Sequence, residues 1–378
     1  MVGMLAGCSA PRSSQRAPGA VQEQVSTGKS AVPSDGPHVI RTVTPLGELL
    51  KDARLAGRME VPPGDALPPG VVPRTPGQGL RFLSLNIHMF VPNEIPLPPA
   101  NERLEALRDI ARYINSVDPD VVILQEVRFR PYREGQEGLG DSLSTLAHLV
   151  RAADVAFTPA VEFDPLTRWH KFYGTAIVTR NAHRIERAVN ALLPNAGPEI
   201  EPRGVGIAAV VPPRGKPFTV FSTHLAHRAE EDAPLRAQQL AEVARIAEEL
   251  RTRGTFHYEA SLGGGAQEAR DFPREALIVG GDLNQTQAPS DAALSGPGLT
   301  HVNGLLAATG PEGVKRARAA EVFTCLVQTP RFSRQDRIDH VYAHGLAVRD
   351  VAVVDAVPRE LEVLATDHKG VIVDFILP

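Results

Sequence analysis

Six strand-like stretches of this sequence end or begin at a residue that could bind a ligand, and this pattern limits the fold more than any other feature. The clearest case is 276–284, where an apolar run is followed by two glycines, Asp282 and Asn284. Residues i and i+2 of an extended chain point the same way, so the carboxylate and the amide should leave the strand end together. Gly280 and Gly281 leave room for the close approach of a ligand or another backbone.

Five further stretches repeat this arrangement. Polar residues follow or precede apolar, strand-like runs at these positions: Asn86, Glu126, His224, Asp339, and Asp367 with His368. One polar residue at a strand end is an ordinary turn residue, but a recurring set indicates a site, because sheet proteins assemble binding sites where strands end. Apolar residues at helical spacing predict helices over 102–117 and 235–251.

The residue types at the strand ends favour a hard divalent cation. Oxygen ligands are available at these positions: Asn86, Glu126, Asp282 and Asp367. Such ligands suit Mg²⁺ or Mn²⁺, with Ca²⁺ as a further candidate, and zinc ranks lower because it favours nitrogen and sulfur. The two cysteines, Cys8 and Cys325, have no metal-cluster spacing. We expect substrate phosphate to complete the coordination of such an ion.

Acid–base chemistry can be assigned from the same residues. His368 could act as acid, base or cation against a phosphate, and a carboxylate such as Asp339 would orient it. Asp282 could orient or deprotonate an attacking water, and Asn284 could donate to a phosphoryl oxygen as charge builds there. No Ser or Cys lies in a nucleophile elbow. The sequence therefore favours direct attack by water.

These motifs, taken in order, resemble those of the endonuclease/exonuclease/phosphatase superfamily, which includes DNase I-like nucleases. The residues that carry the resemblance span about 79–378 and are Leu85-Asn86, Leu124-Gln125-Glu126, Ser222-Thr223-His224-Leu225, Gly280-Gly281-Asp282-Leu283-Asn284, Arg337-Ile338-Asp339-His340 and Thr366-Asp367-His368. The resemblance implies an α+β fold, a four-layer α/β/β/α sandwich in which two mixed β-sheets pack face to face with helices outside. Most members have Ser where this chain has Thr366.

The resemblance also implies residue roles. Glu126 would be the main metal ligand, with Asn86 and Asp367 beside it. Asp282 would position or activate water, and Asn284 would stabilise the transition state. His368, oriented by Asp339, would contact the scissile phosphate, and His224 would be the second active-site histidine. Arg203 matches an arginine that precedes the strand leading to the histidine motif, and we expect it near the substrate phosphate.

The expected activity is divalent-metal-dependent hydrolysis of a phosphodiester or phosphomonoester. Two narrower substrate classes stay open: extracellular nucleic acid, as for a DNase I-like nuclease, and a lipid headgroup, as for a sphingomyelinase or inositol phosphatase. A minor alternative is a non-catalytic, lipid-anchored binding domain of the same fold. The net charge of −4 gives no support to a strongly basic nucleic-acid surface. We expect a monomer and infer no obligate protein partner.

The N-terminal region suggests an envelope location. Leu5-Ala6-Gly7-Cys8 resembles a bacterial lipobox, although neither a charged nor a long apolar segment precedes it. Residues 9–78 are rich in proline and contain no aromatic residue, which predicts a disordered tether between 1–8 and a catalytic domain at 79–378. The prediction is a lipid-anchored or secreted protein of the bacterial envelope, or a cytoplasmic one if the lipobox match is chance.

Overall fold

Two β-sheets dominate the computed structural model, which describes residues 38–39, 60–74, 79–87, 100–128, 142–159, 173–196, 202–227, 231–259, 267–329, 332–356, 366 and 368–378. The strands are β1 (His38–Val39), β2 (Leu80–Asn86), β3 (Val121–Arg128), β4 (Asp154–Pro159), β5 (Tyr173–Thr179), β6 (Arg184–Leu192), β7 (Gly204–Val211), β8 (Phe218–His224), β9 (Thr255–Glu259), β10 (Gln267–Asp271), β11 (Leu277–Asp282), β12 (Thr300–His301), β13 (Cys325–Thr329), β14 (Phe332–Asp336), β15 (Asp339–His344), β16 (Ala347–Asp355) and β17 (Lys369–Ile376). The helices are α1 (Ala100–Val117), α2 (Ser142–Leu149), α3 (Ala233–Arg253), α4 (Gln287–Leu294), α5 (Val302–Ala307) and α6 (Pro311–Ala319).

Each large sheet is mixed and has six strands among the described residues. The first sheet has the order β16-β17-β2-β3-β5-β4, and the second has the order β12-β15-β11-β8-β7-β6. Within each sheet one pair of neighbours is parallel, β2 with β3 and β8 with β11, and the other neighbours are antiparallel. The carboxyl ends of β2 and β3 therefore share one edge of their sheet, as do those of β8 and β11.

Three buried hydrophobic layers lie between the four layers of secondary structure and hold the sandwich together. The central layer joins the two sheets and includes Phe82, Ile123, Val220 and Ile278. The other two layers pack helices on the outer sheet faces: α1 and α2 cover the first sheet, and α3 covers the second. Fully burying one such large apolar side chain contributes roughly 1.5–3 kcal/mol. The predicted four-layer α/β/β/α sandwich is confirmed.

The two glycines of 276–284 serve the packing of the second sheet. A Cβ on Gly281, whose φ is 140°, would lie 1.9 Å from the Thr223 carbonyl oxygen of the neighbouring strand. A Cβ on Gly280 would lie 2.9 Å from Ile123 Cδ1 of the facing sheet. Of the two expected reasons for glycine, the close approach of protein atoms is the one that this geometry supports.

Some strands were not predicted. The sequence pattern did not indicate β9 or β10, which pair with each other antiparallel. The sequence pattern also did not indicate β4 or β6, which lie at the edges of the two large sheets. Edge strands have one unpaired side and carry more polar residues, so their apolar signal is weaker.

Residues 60–74, which we assigned to the tether, contact the first sheet and α1. The Val71 side chain belongs to the core between α1 and that sheet. Arg74 forms an ion pair with Asp120, and the Asn115 amide donates to the Pro62 carbonyl at 2.9 Å. The packed part of the chain therefore begins before residue 79.

Among the described residues, no helix is both long and apolar enough to cross a membrane.

Candidate active site

One end of the sandwich collects predicted site residues from both sheets. Asn86 and His224 are the last residues of β2 and β8, and Asp282 is the last residue of β11. Asp339 begins β15, and His368 directly precedes β17. Because β15 and β17 run antiparallel to these neighbours, their first residues lie at the same end. Cys8 and Asp367 lie outside the described residues.

The central layer changes from apolar to polar as it approaches this end. The pattern is clear on β11, where Ile278 packs in the central layer and Asp282 lies four residues further on the same face. The Asp282 side chain is 2% exposed. A carboxylate at this depth needs hydrogen-bond partners or compensating charge, because burying a charged group without them is costly. The surrounding residues provide both.

The Asn86 amide links the two sheets across the site. Its Nδ2 donates to Glu126 Oε1 at 3.0 Å and to Asp282 Oδ2 at 3.1 Å. Glu126 lies at a bulge of β3, where the pairing register with β5 shifts, and its φ of 57° is in the left-handed region. This strained conformation turns the Glu126 side chain towards the second sheet, and strain of this kind is often found at functional sites.

Asn284 lies close to Asp282, as the spacing of the two residues predicts. Its backbone N–H donates to Asp282 Oδ1 at 2.9 Å, and its Nδ2 donates to the Leu225 carbonyl at 3.0 Å. An amide nitrogen carries two N–H groups, so Asn284 can still donate one hydrogen bond to a substrate. The backbone again adopts a left-handed φ, here 51°.

The His368 ring lies within hydrogen-bond distance of Asp339. Its Nδ1 lies 2.8 Å from Asp339 Oδ2, and its Nε2 lies 3.8 Å from Asp282 Oδ2. Thr366 fixes the segment: its hydroxyl donates to the Asn86 carbonyl at 2.6 Å and accepts from the His368 backbone N–H at 3.0 Å. Both bonds need only a hydroxyl, so Thr serves here as Ser would.

Thr324 is a supporting residue that sequence reasoning missed. Its Oγ1 accepts hydrogen bonds from the backbone N–H groups of Ile338 and Asp339, both at 3.0 Å. Its carbonyl accepts from the N–H of Lys369 at 2.7 Å. Thr324 thus ties the Asp339 segment to the strand that follows His368. No sequence signal points to it, because it lies in no recognisable motif.

Burial and charge shift the protonation of this cluster. Burial raises the pKa of the Asp282 carboxyl to about 7, an effect that Asp339 reinforces and His368 opposes. Burial acts to lower the pKa of His368, but the charge and hydrogen bond of Asp339 outweigh this and raise that pKa well above its usual value. The site thus favours a cationic histidine beside a carboxyl that can hold a proton near neutral pH.

His224 faces the carboxylates with one nitrogen and Arg203 with the other. His224 Nε2 lies 3.6 Å from Asp282 Oδ2 and 4.0 Å from Glu126 Oε1. On the other side of the ring, Arg203 Nη1 lies 2.9 Å from His224 Nδ1. The Arg203 side chain is among the largest that are fully buried. Arg203 was expected near the substrate phosphate, and the structure places its guanidinium beside the nitrogens of His224 and His227.

The donor set fits a metal ion. Asp282, Asp339 and His368 each place a potential ligand atom within 4.8 Å of the others, so this buried group could bind a metal. Asp339 Oδ1 is buried without a hydrogen-bond partner among the described residues. Glu126 has a 17% exposed side chain, against 0% for Asp339, so Glu126 is more accessible to an incoming ion. A cation here would offset several crowded carboxylates.

The fold and site together define a class: a two-sheet α/β/β/α sandwich with acidic, amide and imidazole groups converging at one end. Residues 83–368 match the family model described as the Endonuclease/Exonuclease/phosphatase family. The chain belongs to this family, whose members are hydrolases that act on phosphoesters.

Solved structures show the same fold at low sequence identity. TDP2 from C. elegans is 17% identical with a TM-score of 0.54, and the match covers 79% of this chain and 75% of that one. An endonuclease/exonuclease/phosphatase from Beutenbergia cavernae is 20% identical with a TM-score of 0.50, covering 79% and 72%. The human nocturnin catalytic domain with bound sulfate anion is 18% identical with a TM-score of 0.50, covering 79% and 95%. No curated protein sequence matches this chain.

Proposed function

We propose that this protein is a divalent-metal-dependent phosphoesterase that hydrolyses a phosphodiester or phosphomonoester by direct attack of water. The observation that carries the proposal is the hydrogen-bonded link from Glu126 through Asn86 to Asp282, with both histidines within 4 Å of the same Asp282 oxygen. A structural role alone does not call for three acidic side chains, Glu126, Asp282 and Asp339, at one end of the sandwich, because their mutual repulsion costs stability.

Mg²⁺ or Mn²⁺ is the proposed ion, and Ca²⁺ is a further candidate. Glu126 would be its main ligand, with Asn86 and Asp367 beside it, because hard cations prefer carboxylate and amide oxygens. When bound, such an ion neutralises phosphate charge and stabilises the leaving oxygen. The identity of the ion is part of the proposal and is testable by titrating the three metals into metal-free protein.

Asp282 is the proposed acceptor of the proton from the attacking water. Asn284 N–H holds its Oδ1 and Asn86 holds its Oδ2, so the carboxylate is fixed before substrate binds. Its raised pKa suits the task, since a general base works best when its pKa lies near the working pH. The second N–H of the Asn284 amide would donate to a phosphoryl oxygen as charge accumulates there.

The two histidines act on the phosphate in this proposal. Asp339 holds His368 through Nδ1, so His368 can present a protonated Nε2 to the scissile phosphate. His224 presents its Nε2 from the second sheet towards the same space between Glu126 and Asp282. Two N–H donors on a phosphoryl group that gains negative charge stabilise the transition state more than the ground state.

Hydrolysis of bis(p-nitrophenyl) phosphate tests the activity. We expect turnover that depends on Mg²⁺ or Mn²⁺, is abolished by chelation, and is lost in Asp282→Ala and His368→Ala. If wild type and both variants are equally inactive with every metal, the proposed activity is wrong. Plasmid nicking, measured beside sphingomyelin and phosphoinositide hydrolysis, separates nucleic acid from lipid headgroups as the substrate.

Lipid anchoring through Cys8 is a separate proposal. Its support is the segment Leu5-Ala6-Gly7-Cys8 and the proline-rich sequence that follows it. Metabolic labelling with a palmitate analogue should mark the wild-type chain and not Cys8→Ala. Labelling that persists in the variant would contradict the lipobox hypothesis and, with it, membrane tethering through Cys8.

A further inference from the structure

Arg203 bridges two histidines at the side of the candidate active site. Its Nη1 lies 2.9 Å from His224 Nδ1 and its Nη2 lies 3.0 Å from His227 Nδ1. Of the two imidazoles, His224 is buried and His227 is exposed. A guanidinium has a planar fork of N–H donors, and here two of its arms point at two separate rings.

The chemistry of these contacts determines which nitrogen carries the proton. Arginine stays charged and has no acceptor atom. At 2.9 Å from an arginine N–H, His224 Nδ1 must therefore accept the hydrogen bond and carry no proton. A neutral imidazole with an unprotonated Nδ1 has its proton on Nε2, and Nε2 is the nitrogen that faces Asp282 and Glu126.

Hydrogen bonds fix the backbone between the two histidines and the backbone of Arg203 itself. Leu225 N–H donates to the Asp282 carbonyl at 3.0 Å. Gln239 and Arg236 of α3 bond the N–H and the carbonyl of Ala226 at 2.9 Å and 3.2 Å. The backbone of Arg203 is also held, because its carbonyl accepts a hydrogen bond from the Leu193 N–H at 2.9 Å.

From this geometry we infer that Arg203 is a positioning residue, which acts through His224 and not by contact with the substrate. It holds His224 as a neutral N–H donor aimed at the phosphate between Glu126 and Asp282. His368, which is paired with a carboxylate, is the histidine suited to carry positive charge. The two histidines thus differ because one is backed by a cation and the other by an anion. The catalytic part of this inference rests on the proposed phosphoesterase function.

Nitrogen NMR on the full chain labelled with ¹⁵N-histidine tests the inference without an activity assay. The His224 signal is assigned by its loss in His224→Gln. In wild type we expect a proton on Nε2 and none on Nδ1. In Arg203→Met we expect that pattern to be replaced by a mixture or by the other tautomer. An unchanged His224 pattern in folded Arg203→Met would overturn the inference.

Kinetics then separate a positioning role from substrate contact. Arg203→Met should lower kcat by about 10- to 100-fold with little change in KM, the range typical for losing a group that orients a functional histidine. A raised KM with kcat retained would show that Arg203 binds substrate, contrary to the inference. If wild type hydrolyses no phosphoester, the proposed function fails, while the NMR result still decides the role of Arg203.

Two further variants control for folding. Arg180 is a similarly buried arginine that bonds the Val150 carbonyl and the Asn115 side chain, none of which belongs to the candidate site. Arg180→Met should lose stability yet keep the His224 tautomer and kcat per folded molecule. Arg203→Lys retains a donor but not the fork, and should partly restore the tautomer and kcat relative to Arg203→Met. Failure of this rescue in a folded protein counts against the inference.

Discussion

The strands β2, β3 and β17 carry buried polar residues at both ends, and the two ends differ in how their charges are matched. At the end remote from the candidate site, Arg81 Nε and Nη2 bond the two oxygens of Asp374 at 2.7 and 2.8 Å. Its Nη1 bonds the Val117 carbonyl at 3.0 Å. Among the described residues of the candidate site, three acidic groups (Glu126, Asp282 and Asp339) lie beside two cations (Arg203 and His368), and Asp339 Oδ1 lacks a hydrogen-bond partner.

This difference separates a structural use of buried charge from a functional one. An ion pair such as Arg81–Asp374, in which two arginine nitrogens bond the two carboxylate oxygens, matches charge with charge and fixes the packing of two strands. At the candidate site, burial and, to a smaller extent, the charge of Asp339 disfavour an ionised Asp282 and raise the pKa of its carboxyl. Removing a charge should therefore have opposite effects on stability at the two ends.

Asp282→Asn gives the largest expected effect and tests the functional end. Activity should fall by about 10²- to 10⁴-fold, because the amide cannot accept the proton of the attacking water. The free energy of unfolding should stay the same or rise, because a buried charge next to Asp339 is removed. Phosphodiester hydrolysis and chemical denaturation of the same preparation measure both quantities. A large loss of stability in Asp282→Asn would contradict the view that this end is built for function.

Arg81→Met tests the structural end. Removal of the guanidinium leaves the buried Asp374 carboxylate uncompensated, which should lower the free energy of unfolding by about 3–5 kcal/mol. Activity per folded molecule should not change. The control is Arg81→Met combined with Asp374→Leu, in which no buried charge remains and most of the stability should return. If the double variant is no more stable than the single one, charge matching is not what this end contributes.

Sequence reasoning predicted the residues of the candidate site because their signal is local. An apolar strand followed by a carboxylate or an amide, as at Asn86 and Asp282, is visible within ten residues, and the fold brings such ends together. The structural end was not predicted, because Arg81 and Asp374 are far apart in sequence and each occurs within an apolar strand. The same reason explains why the contacts of Arg203 were not predicted. Its partners His224 and His227 come close to it only when β7 and β8 pair.

Proline-rich sequence misled the prediction at the N-terminal side. Residues 60–74 have the composition of a tether, yet Val71 is buried and Arg74 pairs with Asp120. Composition reports the average tendency of a segment to stay unfolded, whereas packing depends on a few contacts with distant residues. The pairing of β9 with β10 was also missed, because neither strand has the apolar run of a central strand.

A neutral histidine pair next to the site offers a third arrangement to compare. Asn303 N–H donates to His301 Nδ1 at 3.3 Å, His301 Nε2 lies 3.3 Å from His340 Nδ1, and His340 Nε2 lies 3.0 Å from the Gln285 carbonyl. With the proton on each Nε2, every bond in this chain has one donor and one acceptor. Burial, with positive neighbours, lowers the pKa of His301 to about 2 and that of His340 to about 4.

Acid should destabilise this pair. Below a pH of about 6.5, the unfolded chain binds protons at both histidines and the folded chain does not. The free energy of unfolding therefore decreases as the pH is lowered, until the pKa values of the folded state are reached. Chemical denaturation of wild type and of the double variant His301→Gln/His340→Gln, at pH 7 and at pH 4, would test this expectation. The stability of wild type relative to the double variant should drop by about 6 kcal/mol over this range, with roughly half from each histidine. A difference that does not depend on pH would mean that the pair titrates normally.

Asparagines in the left-handed conformation allow a smaller test at both ends. Asn284 at the candidate site has a φ of 51°, and Asn181 at the structural end has a φ of 52°. Asn181 Nδ2 bonds Asp118 Oδ1 at 3.1 Å and Asp120 Oδ1 at 3.2 Å. Replacement by Gly removes the side-chain bonds but tolerates this backbone, whereas Ala also brings the strain of a Cβ.

At both positions the Ala variant should be less stable than the Gly variant by about 1 kcal/mol, because the side-chain bonds are lost in both and only the strain differs. Activity should separate the two positions: both Asn284 variants lose the amide that would donate to the phosphoryl oxygen, while both Asn181 variants keep the turnover of wild type. Thermal unfolding and phosphodiester hydrolysis of the four proteins give the comparison. Full activity in Asn284→Gly would show that the site uses Asn284 only to shape the backbone, and the contrast between the two ends would then rest on the carboxylates and histidines alone.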